Sequence, residues 1–211
     1  MQIQFISSAE LVAREQPWIV EGVLVVMPFT QRDLAHKAAQ LMATRAAAPG
    51  LVLAVHDTQQ DGFVSIVNQA FAKSHSAYFA YVAQDAFAGR AWLQLALQAL
   101  GDDKGLLGFN DGKWAGALAG FGLARRSWAS ANYGGSFFYA RYERHYADAE
   151  LTLLALQAGA YVYDPASVLI EVDWNKDGAA VNLVDRDLFF ERKKNGFDAK
   201  VNDARLLDFI S

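Results

Sequence analysis

Acidic residues follow two short apolar segments that have the composition of buried strands. Asp57 comes soon after residues 51–55 (LVLAV), and Asp85 soon after residues 78–82 (YFAYV). A third acid, Asp148, opens an apolar stretch with helical spacing. Asp is common in turns and at helix starts, where its carboxylate accepts backbone N–H bonds. Alternatively, carboxylates at neighbouring strand ends can hold a divalent cation with a diphosphate, and an acid exposed in a cleft can act as a general base.

The elements around these acids alternate along the first half of the chain. Apolar segments at residues 23–27, 51–55 and 78–82 have strand length, and each is followed by a segment with helical spacing. This order predicts an α/β fold with a mostly parallel sheet flanked by helices. Ligands bind at the carboxyl ends of strands in such sheets. We therefore expect residues 28–30, 56–58 and 84–85 to share one edge.

The second half of the chain has a different character. Residues 106–124 are rich in glycine, a helix is predicted from Asp148 to Ala158, and short strands are predicted at residues 161–163 and 168–172. Charges become dense from residue 175 onward. We predict one domain over residues 1–174 and a charged tail over residues 175–211. The basic run in this tail is interpreted either as a solvated helix end or as a lid over a bound diphosphate; it comprises Arg192, Lys193 and Lys194.

Composition excludes several classes of protein. The chain has 211 residues, 19 basic and 23 acidic side chains and a formal net charge of −4, which disfavours a nucleic-acid binder. It has no cysteine, which excludes disulfides, thiolate metal sites and cysteine nucleophiles and fits a reducing cytoplasm. No apolar run approaches the roughly 20 residues of a spanning helix. Signatures of P-loops, dinucleotide-binding loops and serine-hydrolase elbows are absent as well.

Several short motifs occur in an order that resembles a known family. They are residues 28–30 (PFT) after the first strand, 56–62 (HDTQQDG), 66–70 (IVNQA), 78–85 (YFAYVAQD), the glycine pair at 134–135 and 148–151 (DAEL). The order and spacing resemble the GT-A-fold glycosyltransferases of family 2, inverting enzymes that use nucleotide-diphosphate sugars. The resemblance extends over residues 22–174.

The resemblance implies a GT-A (Rossmann-like) fold with a smaller acceptor-side region. It implies a transferase that moves a sugar from a UDP-sugar to an unidentified acceptor with Mn²⁺ or Mg²⁺. The implied site comprises the catalytic base Asp148; the nucleotide-binding residues Pro28, Phe29, Thr30, Asp57, Asn68 and Gln84; the metal ligand Asp85; and the acceptor-side residues Gly134, Gly135 and Glu150.

Some positions depart from the pattern of the family. Asp85 is the only carboxylate where the family has a D-x-D element, and Ala147 replaces the acid beside the base. The dipole of the helix that starts at Asp148 is expected to lower the basicity of this carboxylate. An alternative is therefore a protein of the same fold that binds UDP or a UDP-sugar with little or no transferase activity.

Overall fold

A computed structural model describes residues 1–172 and 181–208 of the chain. The strands are β1 (Gln2–Ser7), β2 (Trp18–Ile19), β3 (Val23–Phe29), β4 (Gly50–His56), β5 (Ser74–His75), β6 (Tyr78–Tyr81), β7 (Ala86–Ala88), β8 (Leu106–Asn110), β9 (Gly122–Arg125) and β10 (Tyr161–Glu171). The helices are α1 (Ser8–Ala13), α2 (Arg32–Arg45), α3 (Phe63–Ala72), α4 (Trp92–Leu100), α5 (Arg126–Ser130), α6 (Ala147–Gln157), α7 (Leu183–Lys194), α8 (Gly196–Ala199) and α9 (Ala204–Asp208).

The predicted alternation of strands and helices forms the centre of the main sheet. Strand β3 pairs in parallel with β4 on one side and with β6 on the other, and all seven of its residues are buried. Helices α2 and α4 pack on one face of the sheet, and α3 and α6 pack on the other. Strands covered on both faces need continuous apolar sequences, as residues 23–29 and 51–55 provide. The predicted α/β class is confirmed.

The sheet extends beyond the predicted strands on both sides. Its order is β1-β4-β3-β6-β9-β8-β10-β7, with β1 added in parallel to β4 as an edge strand that the sequence analysis did not identify. Strands β9 and β7 are antiparallel to their neighbours. The two short strands predicted at residues 161–172 are one strand, β10, with an irregular register between Tyr163 and Val168. The carboxyl ends of β3, β4, β6, β8 and β10 consequently meet at one edge.

The charged tail contributes to the core. Leu188, Phe189, Phe197 and Val201 are buried within the same apolar cluster as α3 and α6. Charged residues are dense around these four positions in the sequence, so no apolar pattern identified them as part of the core. The predicted boundary between residues 174 and 175 lies outside the described residues. Among the described helices, none has the length and apolar character needed to cross a membrane.

Candidate functional site

A cleft of about 1130 Å³ opens at the edge where the parallel strands end. It is lined by six of the residues that the sequence analysis placed in the site: Pro28, Phe29, Thr30, Asp57, Gln84 and Asp148. It is also lined by polar and aromatic residues that the sequence analysis did not select, among them Asp111, Lys113, Trp114, Arg144, His145 and Glu171.

Gln84 connects the ends of β3 and β6. Its side-chain Oε1 accepts the backbone N–H groups of Thr30 at 2.9 Å and of Gln31 at 2.8 Å. Two N–H donors identify the atom between them as the amide oxygen, because an amide nitrogen cannot accept a hydrogen bond. The Nε2 amide NH₂ group is therefore the part of this nearly buried side chain that can donate to a ligand in the cleft. Gln31 is the N-cap of α2.

Asp57 organises the loop between β4 and α3. Its Oδ1 accepts the N–H of Asp61 at 2.8 Å, and its Oδ2 accepts the N–H of Gly62 at 3.1 Å. Each carboxylate oxygen keeps a second lone pair, so the group can still accept a bond from a ligand. The turn role and the binding role that the sequence left as alternatives are compatible at this position.

Phe29 offers little surface to a nucleotide base. The side chain is 4% exposed, and its ring stacks on His56 with centroids 4.9 Å apart and planes 6° apart. The two residues are cross-strand partners of β3 and β4. A nucleotide base bound at this edge could therefore contact only a small part of the Phe29 ring.

Asp148 lies in the first turn of α6, half-buried in the wall of the cleft. Its burial raises the pKa of the carboxyl from 3.8 to about 6, and the nearby charges of Asp111 and Glu171 act in the same direction. The backbone N–H groups of the first turn oppose this shift but are weaker. The expected loss of basicity at the helix start is thus wrong, because desolvation outweighs the local N–H groups.

Asp111 is the main carboxylate that sequence reasoning missed. It directly follows β8, is 2% exposed, and its Oδ1 accepts the N–H groups of Lys113 and Trp114, both at 2.9 Å. Gly120 lies against it, and a Cβ at that position would be 3.0 Å from Asp111 Oδ2. Asp111 follows β8, and Glu171 is the last residue of β10, much as Asp57 and Asp85 come after β4 and β6. The signal of an acid at the end of an apolar segment was therefore available for both.

Positive charge reaches the cleft from two sides. Lys113 lies in the loop after β8, and its ammonium is 5.5 Å from the centre of the Trp114 ring. Arg144 and His145 belong to the loop before α6, and the Arg144 side chain is exposed. Lys113 and Arg144 line the same cleft as the carboxylates and can supply positive charge to an anionic ligand there.

Asp85 does not belong to the lining of the cleft. The residue is buried, and its backbone carbonyl accepts the N–H of Val172 at 3.1 Å beside the end of β10. Within residues 1–172 and 181–208, no three His, Asp or Glu side chains are grouped closely enough to share a metal ion. The described residues thus do not fit the metal site that the sequence analysis placed at Asp85.

Three further predicted residues lie away from the cleft. Asn68 accepts the N–H groups of Phe137 and Phe138 at 3.0 and 2.8 Å, which holds Phe138 in the cleft wall. Gly134 and Gly135 have φ values of 60° and 100° and form a tight turn on the surface. Asn68 therefore shapes the site without contacting its interior.

Glu150 and Arg192 form a buried ion pair. The sequence analysis had placed Glu150 on the acceptor side of the site and Arg192 in a possible lid. Arg192 Nε and Nη2 donate to the two Glu150 oxygens, both at 2.8 Å, and Tyr133 and Tyr142 donate to the same carboxylate. Arg192 is 7% exposed and Glu150 is fully buried. The basic run is the end of helix α7, as one of the two interpretations expected, but Arg192 is buried instead of solvated. Lys193 and Lys194 do not line the cleft either.

Comparisons with known proteins agree with this architecture. No family model and no curated protein matches the sequence. Among solved structures, the chain is similar to the mannosyltransferase PcManGT from Pyrobaculum calidifontis, determined in complex with GDP-Man and Mn²⁺, with a TM-score of 0.54 and 14% identity. The match covers 77% of this chain and spans only 61% of the mannosyltransferase. A glycosyltransferase involved in glycosylation of the major capsid of PBCV-1 matches with a TM-score of 0.45 and 9% identity, over 79% of this chain and 98% of that one. The chain thus shares its α/β fold with a solved glycosyltransferase.

Proposed function

We propose that this protein is a glycosyltransferase that takes a sugar from a nucleotide-diphosphate sugar, with Asp148 as its general base. The observation that carries the proposal is the half-buried Asp148 carboxyl in the cleft wall, with its pKa raised to about 6. A base of this strength is largely ionised at neutral pH and still takes up a proton readily. The fold shared with a mannosyltransferase supports the same reaction class.

The proposed reaction is a single inverting displacement. Asp148 accepts the proton of an acceptor hydroxyl while the hydroxyl oxygen forms a bond to the anomeric carbon. The bond from that carbon to the diphosphate oxygen breaks at the same time, and the nucleoside diphosphate leaves with the electron pair. When water takes the place of the acceptor, the same step hydrolyses the donor.

We propose that the donor nucleotide is bound at the ends of β3, β4 and β6. For the base or ribose, the Gln84 Nε2 amide group supplies a hydrogen-bond donor. The remaining lone pairs of the Asp57 carboxylate supply an acceptor. Arg144 and Lys113 supply positive charge for the diphosphate. Uracil is the proposed base of the donor. Guanine, the base of the GDP-Man bound by the similar mannosyltransferase, is the competing choice.

Dependence on Mn²⁺ or Mg²⁺ is a separate question for the same site. The structurally similar mannosyltransferase was determined with Mn²⁺. We assign no described residue of this chain as a metal ligand, because Asp85 does not line the cleft. Adding EDTA to a binding titration with UDP tests whether the nucleotide needs a divalent ion.

The proposed donor class is tested with a thermal-shift panel of UDP, GDP, CDP and dTDP, each with and without Mn²⁺. A ligand that binds only the native state raises the melting temperature. We expect UDP to give the largest increase. A larger increase with GDP would replace uridine by guanosine in the proposal, and no increase with any nucleotide would contradict the proposed function.

A further inference from the structure

The segment before Asp148 is attached to the C-terminal tail through one buried carboxylate. Asp185, in the first turn of α7, is fully buried. Its Oδ1 accepts the N–H of Glu143 at 2.9 Å, and its Oδ2 accepts the N–H groups of Arg144 at 2.9 Å and His145 at 2.8 Å. The charge of this carboxylate is thus stabilised by three backbone N–H groups of a single loop.

That loop has a conformation that needs support. Tyr146, which follows it, is the N-cap of α6 with a left-handed φ of 65°, an unfavourable conformation for a residue with a large side chain. The carbonyl of Tyr146 accepts the Glu150 N–H at 3.0 Å, so α6 starts directly from this residue. Any displacement of residues 143–145 would therefore be transmitted to the turn that carries Asp148.

A second contact from the tail holds the other side of the same turn. Arg192 of α7 binds Glu150 through both carboxylate oxygens, two residues after Asp148. Arg192 also donates to Asp198 at 3.0 Å, and its guanidinium lies 3.4 Å from the centre of the Tyr139 ring. Helix α7 thus contacts residues on both sides of Asp148 with charged, buried groups.

We propose that α7 acts as a clamp on residues 143–150, and that Asp185 is a positioning residue that fixes the orientation and solvation of Asp148. This inference rests on the proposed role of Asp148 as the base. Asp185 itself does not line the cleft, so it acts only through the loop that it binds. The tail has the function of a rigid support for the candidate base instead of a lid.

The test compares two isosteric changes on the same helix. Asp185→Asn keeps the volume of the side chain but places an amide donor against the N–H donors of residues 143–145. Asp187→Asn removes the same charge from an exposed residue of α7, whose carboxylate pairs only with Arg186 in the described structure. Asn182→Asp is a milder second variant. It keeps the N-cap acceptor of α7 but replaces the amide that donates to Glu143 Oε2 at 2.9 Å by a carboxylate, which cannot donate this bond to the loop. It substitutes for Asp185→Asn if circular dichroism shows that variant to be unfolded.

Two measurements by nuclear magnetic resonance do not depend on the activity. In Asp185→Asn, but not in Asp187→Asn, we expect the amides of residues 143–145 to exchange at least about tenfold faster, as expected for local opening. We also expect the pKa of Asp148, followed through its carboxyl carbon, to fall from about 6 towards its ordinary value as the first turn of α6 becomes more hydrated.

The third measurement is hydrolysis of UDP-sugars. Misorientation of the base should lower kcat by about 10- to 100-fold while KM for the donor changes less than about threefold. Exchange rates equal to those of Asp187→Asn would overturn the clamp, and so would faster exchange with unchanged titration of Asp148. If the unmodified protein hydrolyses no nucleotide sugar, the proposed function fails, and the two resonance measurements alone decide whether the clamp exists.

Discussion

The ionisation of Asp148 is decided by two opposing surroundings. The N–H groups at the start of α6 favour the charged carboxylate, whereas burial and the charges of Asp111 and Glu171 favour the protonated acid. Burial is the largest of these influences, and the pKa rises to about 6. A carboxyl that titrates so close to neutral pH gives two measurable consequences, one for the reaction and one for stability.

The rate of donor hydrolysis should depend on pH through Asp148. A base must be ionised, so kcat/KM should rise with pH and level off above the pKa of about 6. Initial rates of UDP release between about pH 5 and 8 measure this midpoint. A rate that is constant over this range would show that Asp148 is not the group that accepts the proton.

The stability of the protein should respond to Asp148 in the opposite sense. Because the folded pKa lies above 3.8, the folded state binds more protons than the unfolded chain between about pH 4 and 6, and its stability falls as the pH rises through that interval. Asp148→Asn should therefore be more stable than the parent at pH 7, by no more than about 3 kcal/mol. Urea unfolding at about pH 4 and about pH 7, with Asp187→Asn as the exposed control, measures the difference. Equal stability at pH 7 would contradict the raised pKa.

At the scale of elements, loops after the strands are built by carboxylates that accept backbone N–H groups. Asp57 does this after β4, and Asp111 does it after β8. The same acids line the cleft, so loop structure and ligand contacts depend on one set of side chains. Changes at these positions are expected to affect folding and binding together.

Asp57→Ala tests this double role. Loss of an acceptor for the Asp61 and Gly62 N–H groups should lower the free energy of unfolding by about 1–3 kcal/mol and weaken UDP binding by a similar amount. Chemical denaturation and calorimetry measure the two effects. Gln59→Ala is the matched control, since Gln59 is exposed in the same loop. UDP affinity equal to that of the control would remove Asp57 from the binding site.

The ion pair between α6 and α7 gives a prediction for the tail. Arg192→Ala leaves the fully buried Glu150 carboxylate without its cation and should cost about 3–5 kcal/mol of stability. Lys194→Ala, on the exposed side of the same helix end, should change stability by less than about 0.5 kcal/mol. Combining Glu150→Gln with Arg192→Met should recover much of the loss, because no buried charge then remains unpaired. A small effect of Arg192→Ala in urea unfolding would show that this pair is solvated.

At the scale of the whole molecule, the tail and the sheet share one apolar core. Leu188, Phe189 and Phe197 are buried beside side chains of α3 and α6. A chain that ends at residue 182 should therefore fail to fold cooperatively, as followed by near-ultraviolet circular dichroism during urea titration. A soluble, cooperatively folding product would instead support a detachable tail, as the lid interpretation requires.

The parts that the sequence predicted are those determined locally. Strands β3, β4 and β6 have continuous apolar residues, and the helices after them have regular apolar spacing, so each pattern reports its own burial. The contacts that the sequence did not predict are made between residues far apart along the chain. Glu150 and Arg192 are separated by 42 residues, and Asp185 binds a loop about as distant. No local pattern distinguishes such a buried charge from a solvated one.

The role of Asp148 as the base of a glycosyltransferase is tested most directly by UDP release from a panel of UDP-sugars, measured for the parent protein and for Asp148→Asn. UDP affinity is determined for both proteins by calorimetry. We expect the parent to release UDP and the variant to be slower by about 10²–10⁴, the range for loss of an acid–base group. UDP affinity should change by less than about twofold, because the base faces the acceptor side of the reaction. Equal rates for the two proteins would show that Asp148 does not accept the proton in the reaction. Binding of UDP without release from any donor would identify a nucleotide-sugar-binding protein and contradict the proposed transferase.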